Sequence, residues 1–167
     1  MAAGSNESAP KKKRAYFDTY RGPGWPEPNW LKPYFLAPAG KRWFFQTGND
    51  SAGLDAEGVD NTEHLPADQG RIDIALDMWA HPEHGVLLIY SKRGGSLDEA
   101  FSSKGDTKRL REWVRSLHDT PLPIGLFVPY EQAWKAVKEF IETDGALPGG
   151  IEWIANRDLP ANAFPDP

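Results

Sequence analysis

Apolar and polar positions alternate most cleanly between Arg71 and Trp79, where Ile72, Ile74, Leu76 and Met78 are separated by Asp73, Ala75 and Asp77. A period of two is what a half-buried strand requires, because successive side chains point to opposite faces of a sheet. The run His81-Pro82-Glu83-His84-Gly85 predicts a turn, and Val86 to Tyr90 is apolar enough for a central strand. Together they predict a hairpin in the middle of a sheet. Shorter strand signals occur at Arg42 to Thr47, through Trp43, Phe44 and Phe45, and at Glu99 to Ser103, Leu122 to Val128 and Ile151 to Ile154.

Twice the period becomes helical. Leu110, Trp113, Val114 and Leu117 fall at i, i+3, i+4 and i+7 within Thr107 to His118, with Asp106 or Thr107 available as N-cap. After Pro129, the residues Tyr130, Ala133, Trp134, Val137, Phe140 and Ile141 form one continuous stripe. Glu131 suits the first turn of that helix and Gly145 the left-handed position after its end. Tyr16 to Pro38, rich in Pro and carrying Trp25, Trp30, Tyr34 and Phe35, predicts irregular chain packed onto a body. The order of elements predicts an α+β fold, a mainly antiparallel sheet with two or three helices packed on one side.

Length and composition narrow this picture. A chain of 167 residues, 40% apolar and 12% aromatic, is long enough for one real core. Residues 1–14 are expected to be a disordered basic tail, 15–160 a single domain and 161–167 a C-terminal tail. There is no Cys, which removes disulfides, thiolate metal sites and a Cys nucleophile. No segment has the apolar core of a signal peptide or the roughly 20 apolar residues of a membrane span. A cytoplasmic protein without a membrane partner is therefore expected.

Charge is distributed unevenly. The net value of −5 disfavours direct binding of nucleic acid and suits a basic partner. The run Lys11 to Arg14 is the exception, a solvated tail or a phosphate-contacting segment. From Asn49 to Gln69 the sign reverses: Asp50, Asp55, Glu57, Asp60, Glu63 and Asp68 occur with no Lys or Arg among them. This predicts a long acidic loop, either a solvated connection or a binding surface.

Catalytic signatures are weak. His81 and His84 lie three apart on the expected turn, and Glu83, Asp77 or His64 could complete a zinc set, which would suit a small metal-dependent hydrolase. Ser116, His118 and Asp119 supply the residue types of a triad, but sequence neighbours rarely present its geometry. No carboxylate pair has an apolar flank that would raise a pKa, and "KRGG" at Lys92 to Gly95 reads as a turn. No cofactor and no catalytic residue is assigned. The remaining alternative is a nucleic-acid adaptor acting through Lys11 to Arg14.

The segment "FSSKGD" (Phe101 to Asp106), followed by "LFVPYEQAWKAVKEFIETDGALPGGIEW" (Leu126 to Trp153), resembles the first-numbered family of bacterial immunity proteins from polymorphic toxin systems (Imm1-type). Val128, Pro129, Ala133, Ala136, Phe140, Thr143, Gly145, Pro148 and Trp153 carry the likeness, and "GVLLIYS" (Gly85 to Ser91) is similar to the family's central strand. Ile154 stands where the family often has an acid, and Met1 to Arg42 has no counterpart in it. The resemblance implies a non-enzymatic protein of contact-dependent competition that binds and neutralises a cognate toxin. It implies a nucleic-acid-targeting toxin, such as a deaminase, whose basic active-site cleft is occluded. The expected contacts are Asp50, Asp55, Glu57, Asp60, Glu63 and Asp68, with Trp25 and Trp30 as exposed anchors and Ser103, Lys104 and Asp106 beside them. Ser102 to Asp106 and the hairpin tip His81 to His84 are the next surfaces to consider.

Overall fold

The computed structural model describes residues 12–17, 20, 22–36 and 50–165. The strand expected at Arg42 to Thr47, most of the N-terminal tail and the last two residues lie outside the described residues. In chain order the elements are β1 (Lys12–Tyr16), α1 (Pro28–Leu36), β2 (Ser51–Val59), β3 (Ile72–His81), β4 (Gly85–Gly94) and β5 (Leu97–Ser103). They are followed by β6 (Trp113–Arg115), β7 (Pro121–Pro123), β8 (Phe127–Val128), α2 (Tyr130–Glu142) and β9 (Trp153–Ala155).

All pairings are antiparallel. One sheet runs β1-β2-β3-β4-β5-β9, with β8 also on β4, and β6-β7 form a separate ribbon. The alternation of β3 works as expected: Ile74, Leu76 and Met78 are buried against α1 and α2, while Asp73, Ala75 and Asp77 face the other way. Leu54 and Ala56 of β2, and Val86, Leu88 and Tyr90 of β4, join the same core. Helix α2 contributes Tyr130, Ala133, Trp134, Ala136, Val137 and Phe140, and Phe140 is fully buried. The helices thus cover one face of an antiparallel sheet, the expected α+β arrangement.

A second, smaller core lies on the opposite face. Leu87, Leu122, Leu126 and Phe127 form it, with Trp79, Ile89, Leu110, Val114 and Ile154 against them. The segment that follows β5 therefore folds back over about half of the outer face, and none of the described residues builds a second layer over the β1–β3 half.

Four expectations need correction. Lys12 to Arg14 are part of strand β1 rather than of a tail, with Lys12 opposite Glu57 and Arg14 opposite Asp55. Much of the acidic "loop" is strand β2, bulged at Gly58, where φ is 76° and the register shifts. The Pro-rich stretch contains helix α1, whose Leu31, Tyr34 and Phe35 are buried. Thr107 to His118 is no α-helix. A short 3-10 turn at Thr107–Arg109 leads into β6, and Leu110 and Val114 reach the smaller core while Trp113 and Leu117 stay exposed.

The end of α2 also differs by one position from the expectation. Asp144 takes the left-handed conformation (φ 55°), and its N–H bonds to Ile141 O while the Gly145 N–H bonds to Phe140 O. These two bonds make a Schellman stop with Asp144, not Gly145, at the first position beyond the helix. Gly145 is required for another reason: φ is 99°, and a Cβ there would run into Ile74 Cδ1.

Candidate interaction surface

The open part of the outer face carries a charge ladder built by cross-strand neighbours. Arg14 Nε donates to Asp55 Oδ1 at 3.0 Å, and its Nη2 reaches Glu57 at 3.4 Å. Glu57 is shared, since Arg71 Nη2 also donates to it at 3.2 Å and Lys12 lies at 4.0 Å. Arg71 in turn holds Asp73 at 3.0 Å, and Arg93 pairs with Asp98 at 2.8 Å. Opposite charges directly across antiparallel strands add modest stability each and fix register. The Asp77 carboxylate makes no hydrogen bond or ion pair among the described residues. Desolvation first, then the charge of Asp55, raises its pKa above the ordinary value. Gly53 is opposite, and a Cβ there would come within 2.9 Å of Asp77 Oδ1. Tyr16, also opposite Gly53 in the β1–β2 ladder, is 58% exposed.

The six acidic candidates do not form one surface. Asp50 is buried at 4% exposure, where Oδ2 accepts the Leu117 N–H at 2.9 Å and ties the β6–β7 turn to the sheet. Asp55 and Glu57 belong to the ladder. Asp60 is on the helix side, paired with Lys92 at 2.8 Å. Glu63 is half-buried against the Gly58 bulge, and Asp68 is exposed in the short turn Ala67–Gln69.

The aromatic anchors are not exposed. Trp25 donates Nε1–H to Asp55 O at 2.8 Å, lies tilted against Phe140 at 4.9 Å, and carries Lys13 Nζ 4.6 Å from its ring. Trp30 is packed edge-on to Phe17 and Tyr20. Both are partly buried and pack against the larger core. Ser103 is fully buried: its hydroxyl donates to Leu126 O at 2.6 Å and accepts the Leu88 N–H at 3.0 Å. That fills the gap where β4 leaves β8 for β5. Ser102 donates to Asn156 Oδ1 at 2.7 Å. Lys104 pairs with Glu152 at 3.8 Å, and Asp106 accepts the Lys108 N–H as a turn cap.

The residues with catalytic types hold turns. Ser116 Oγ accepts the N–H groups of His118 and Thr120, closing the β6–β7 ribbon. His81 and His84 stack with ring centres 4.6 Å apart beside Phe127. His81 Nδ1 accepts the Glu83 N–H at 3.1 Å, and burial followed by the His84 ring keeps its pKa below the ordinary value. No group of three or more His, Asp or Glu side chains able to hold a metal occurs among the described residues.

A concave site that sequence reasoning missed lies on the helix side, where the chain leaves α2. It encloses about 460 Å3 between the α2 stop and strands β4 and β5. Ile74, Tyr90 and Phe101 form its floor, Lys92 and Glu99 one wall, and Asp144 to Leu147 the other. The Tyr90 hydroxyl donates to Gly145 O at 2.9 Å and so fixes the floor to the second wall. Glu139 holds the next loop, its two carboxylate oxygens accepting Gly149 N–H at 2.6 Å and Gly150 N–H at 3.0 Å. Trp153 donates to Pro148 O at 2.7 Å from a half-buried position. The motif Phe140, Thr143, Gly145, Pro148, Trp153 thus builds this wall. The only advance signal was the density of Gly and Pro after an amphipathic helix.

Fold and surface define a small α+β protein in which the buried Asp50 and Ser103 side chains hold backbone. The family model described as Immunity protein Imm1 matches residues 47–155, and the chain belongs to that family of immunity proteins. No curated protein and no solved structure matches the chain. No helix among the described residues is long and apolar enough to cross a membrane.

Proposed function

We infer that this immunity protein binds a cognate toxin and blocks its active site, and that the toxin acts on nucleic acid, as a deaminase does. The observation that carries the reading is the family match across residues 47–155, which spans the sheet from β2 to β9. Charge supports the partner's chemistry. An enzyme that acts on nucleic acid needs a phosphate-attracting basic cleft, and a protein of net charge −5 is steered toward it. The engagement of the catalytic residue types in turns supports a mechanism by occupancy rather than by reaction. A cytoplasmic site of action, inside the cell that must be protected, follows from the same reading.

The open half of the sheet is the proposed steering surface. Asp55, Glu57, Asp73, Asp77 and Asp98 there slightly outnumber Lys12, Arg14, Arg71 and Arg93, and exposed Asp68 adds to the same sign. The test is survival of cells that express a candidate toxin domain, sought first among the products of adjacent genes, with and without this protein. Protection at wild-type growth rate is expected. Equal death in both cultures would remove the reading. With the purified pair, Asp68→Asn combined with Asp77→Asn should slow association and flatten its salt dependence while dissociation changes little.

A further inference from the structure

Resting on the toxin-binding reading, we propose that the cleft beyond α2 is the socket for one basic side chain of the partner, an arginine in the first instance. Its volume of about 460 Å3 is within the range of pockets that enclose a ligand group. Its walls have two characters. Val59, Ile74, Ala146 and Leu147 offer an apolar channel, and the ring of Phe101 lies at the floor. A methylene stem and a flat cation suit such a channel, because a guanidinium stacks on an aromatic ring while its stem packs on aliphatic surface.

The charges select the sign. Lys92 is held by Asp60 at 2.8 Å, and Asp144 is held by Lys13 at 2.6 Å. Glu99 faces Lys92 across the β4–β5 ladder yet forms no ion pair or hydrogen bond among the described residues. The one charge of the cleft left without a partner is therefore a carboxylate. The neutral polar groups are already engaged: Tyr90 donates to Gly145 O, and the Thr143 hydroxyl donates to Glu139 O at 2.8 Å. A planar cation offers the two parallel bonds that a carboxylate accepts best.

Capped arginine (Nα-acetyl-arginine amide) is the probe, added to the full chain and followed by methyl and aromatic NMR. Saturable shifts are expected at Ile74, Leu147 and Phe101, weaker with capped citrulline, which has the same shape without the charge. Glu99→Gln should weaken capped arginine by up to about fivefold, the scale of an exposed ion pair. Ala146→Trp, at an exposed position, should fill the mouth and abolish the shifts without lowering the melting temperature. Absence of shifts at these three residues, equal response to citrulline, or preference for capped glutamate would overturn the proposal. In complex with the toxin domain, both variants should raise the dissociation rate at least about tenfold, and Glu131→Gln on the exposed start of α2 should not. If both variants dissociate at the wild-type rate, the socket is wrong and the immunity reading stands. If wild type neither binds nor protects against the toxin, that reading fails, and the arginine titration still decides the cleft.

Discussion

Single side chains in this protein are costly where they satisfy backbone at the seams of the sheet. The Ser103 hydroxyl serves the Leu88 N–H and the Leu126 C=O in a fully buried position. Ser103→Ala would orphan both, and a destabilisation of about 2–4 kcal/mol by denaturant melt is expected. Tyr90 shows the same logic through pH. Burial, then the nearby Asp60 and Glu99 charges, pushes its hydroxyl up to about 12 from an ordinary 10.0. The folded state keeps the proton where the unfolded chain releases it. Stability from this group is therefore complete below pH 10 and lost as pH rises toward 12. Tyr90→Phe should cost about 1 kcal/mol at neutral pH and flatten that alkaline limb. An unchanged limb would mean that a group other than Tyr90 carries it. Asp77 follows the same sign in the acid range. Its raised pKa means that the charged form is disfavoured by folding, so stability falls as pH rises above its ordinary 3.8. Asp77→Asn should leave the protein as stable or up to about 0.5 kcal/mol more stable at pH 7.

At the scale of elements, α2 is the anchor of the larger core. Phe140→Ala should cost about 3–5 kcal/mol, since Phe140 is fully buried among Trp25, Tyr90 and the sheet. A loss below about 1 kcal/mol would show that the stripe faces elsewhere. That helix and the β3–β4 hairpin were legible because their apolar periods are long and their polar faces are solvated. Strand β2 was not, because Ser51 to Val59 has only Leu54 and Val59 as large apolar residues among Ser, Gly, Ala, Asp and Glu. Its small residues fit a strand flanked on both sides, with Gly53 making room for the Asp77 carboxylate and Trp25 bonding to Asp55 O. Position between β1 and β3, not propensity, makes it a strand. The β6 segment misled in the other direction. Its apolar spacing fits a helix, yet the Ser116 cap, Asp119 at φ 67°, and the bond from Ile124 N to Glu112 O favour a ribbon. Strand β1 was hidden because its long-range partner, the acidic β2, lies about forty residues away. Deleting residues 1–16 would bare the edge of β2 and strip Lys13 from Trp25. A loss of at least about 1 kcal/mol is expected, where a mere tail would cost nothing.

For the whole molecule, one face of the sheet is closed by α1 and α2, and half of the other by the chain between β5 and β8. Among the described residues, the charged half-face and the cleft beyond α2 are the surfaces proposed for a partner. Neither was legible in advance. The acids that cluster in sequence diverge in space, because alternation along β2 sends Asp55 and Glu57 to one side and the turn after Val59 carries Asp60 to the other. Lys92 and Asp60 meet only through folding. Inhibition by occupancy has a stoichiometric signature that a reaction would not have. The most direct measurement is a titration of the toxin domain's activity with this protein, at toxin concentrations well above the dissociation constant. The account predicts that activity falls linearly and ends at one protein per toxin, with the toxin recovered intact on dissociation. Complete inactivation by substoichiometric protein, or full activity in excess protein, would contradict it.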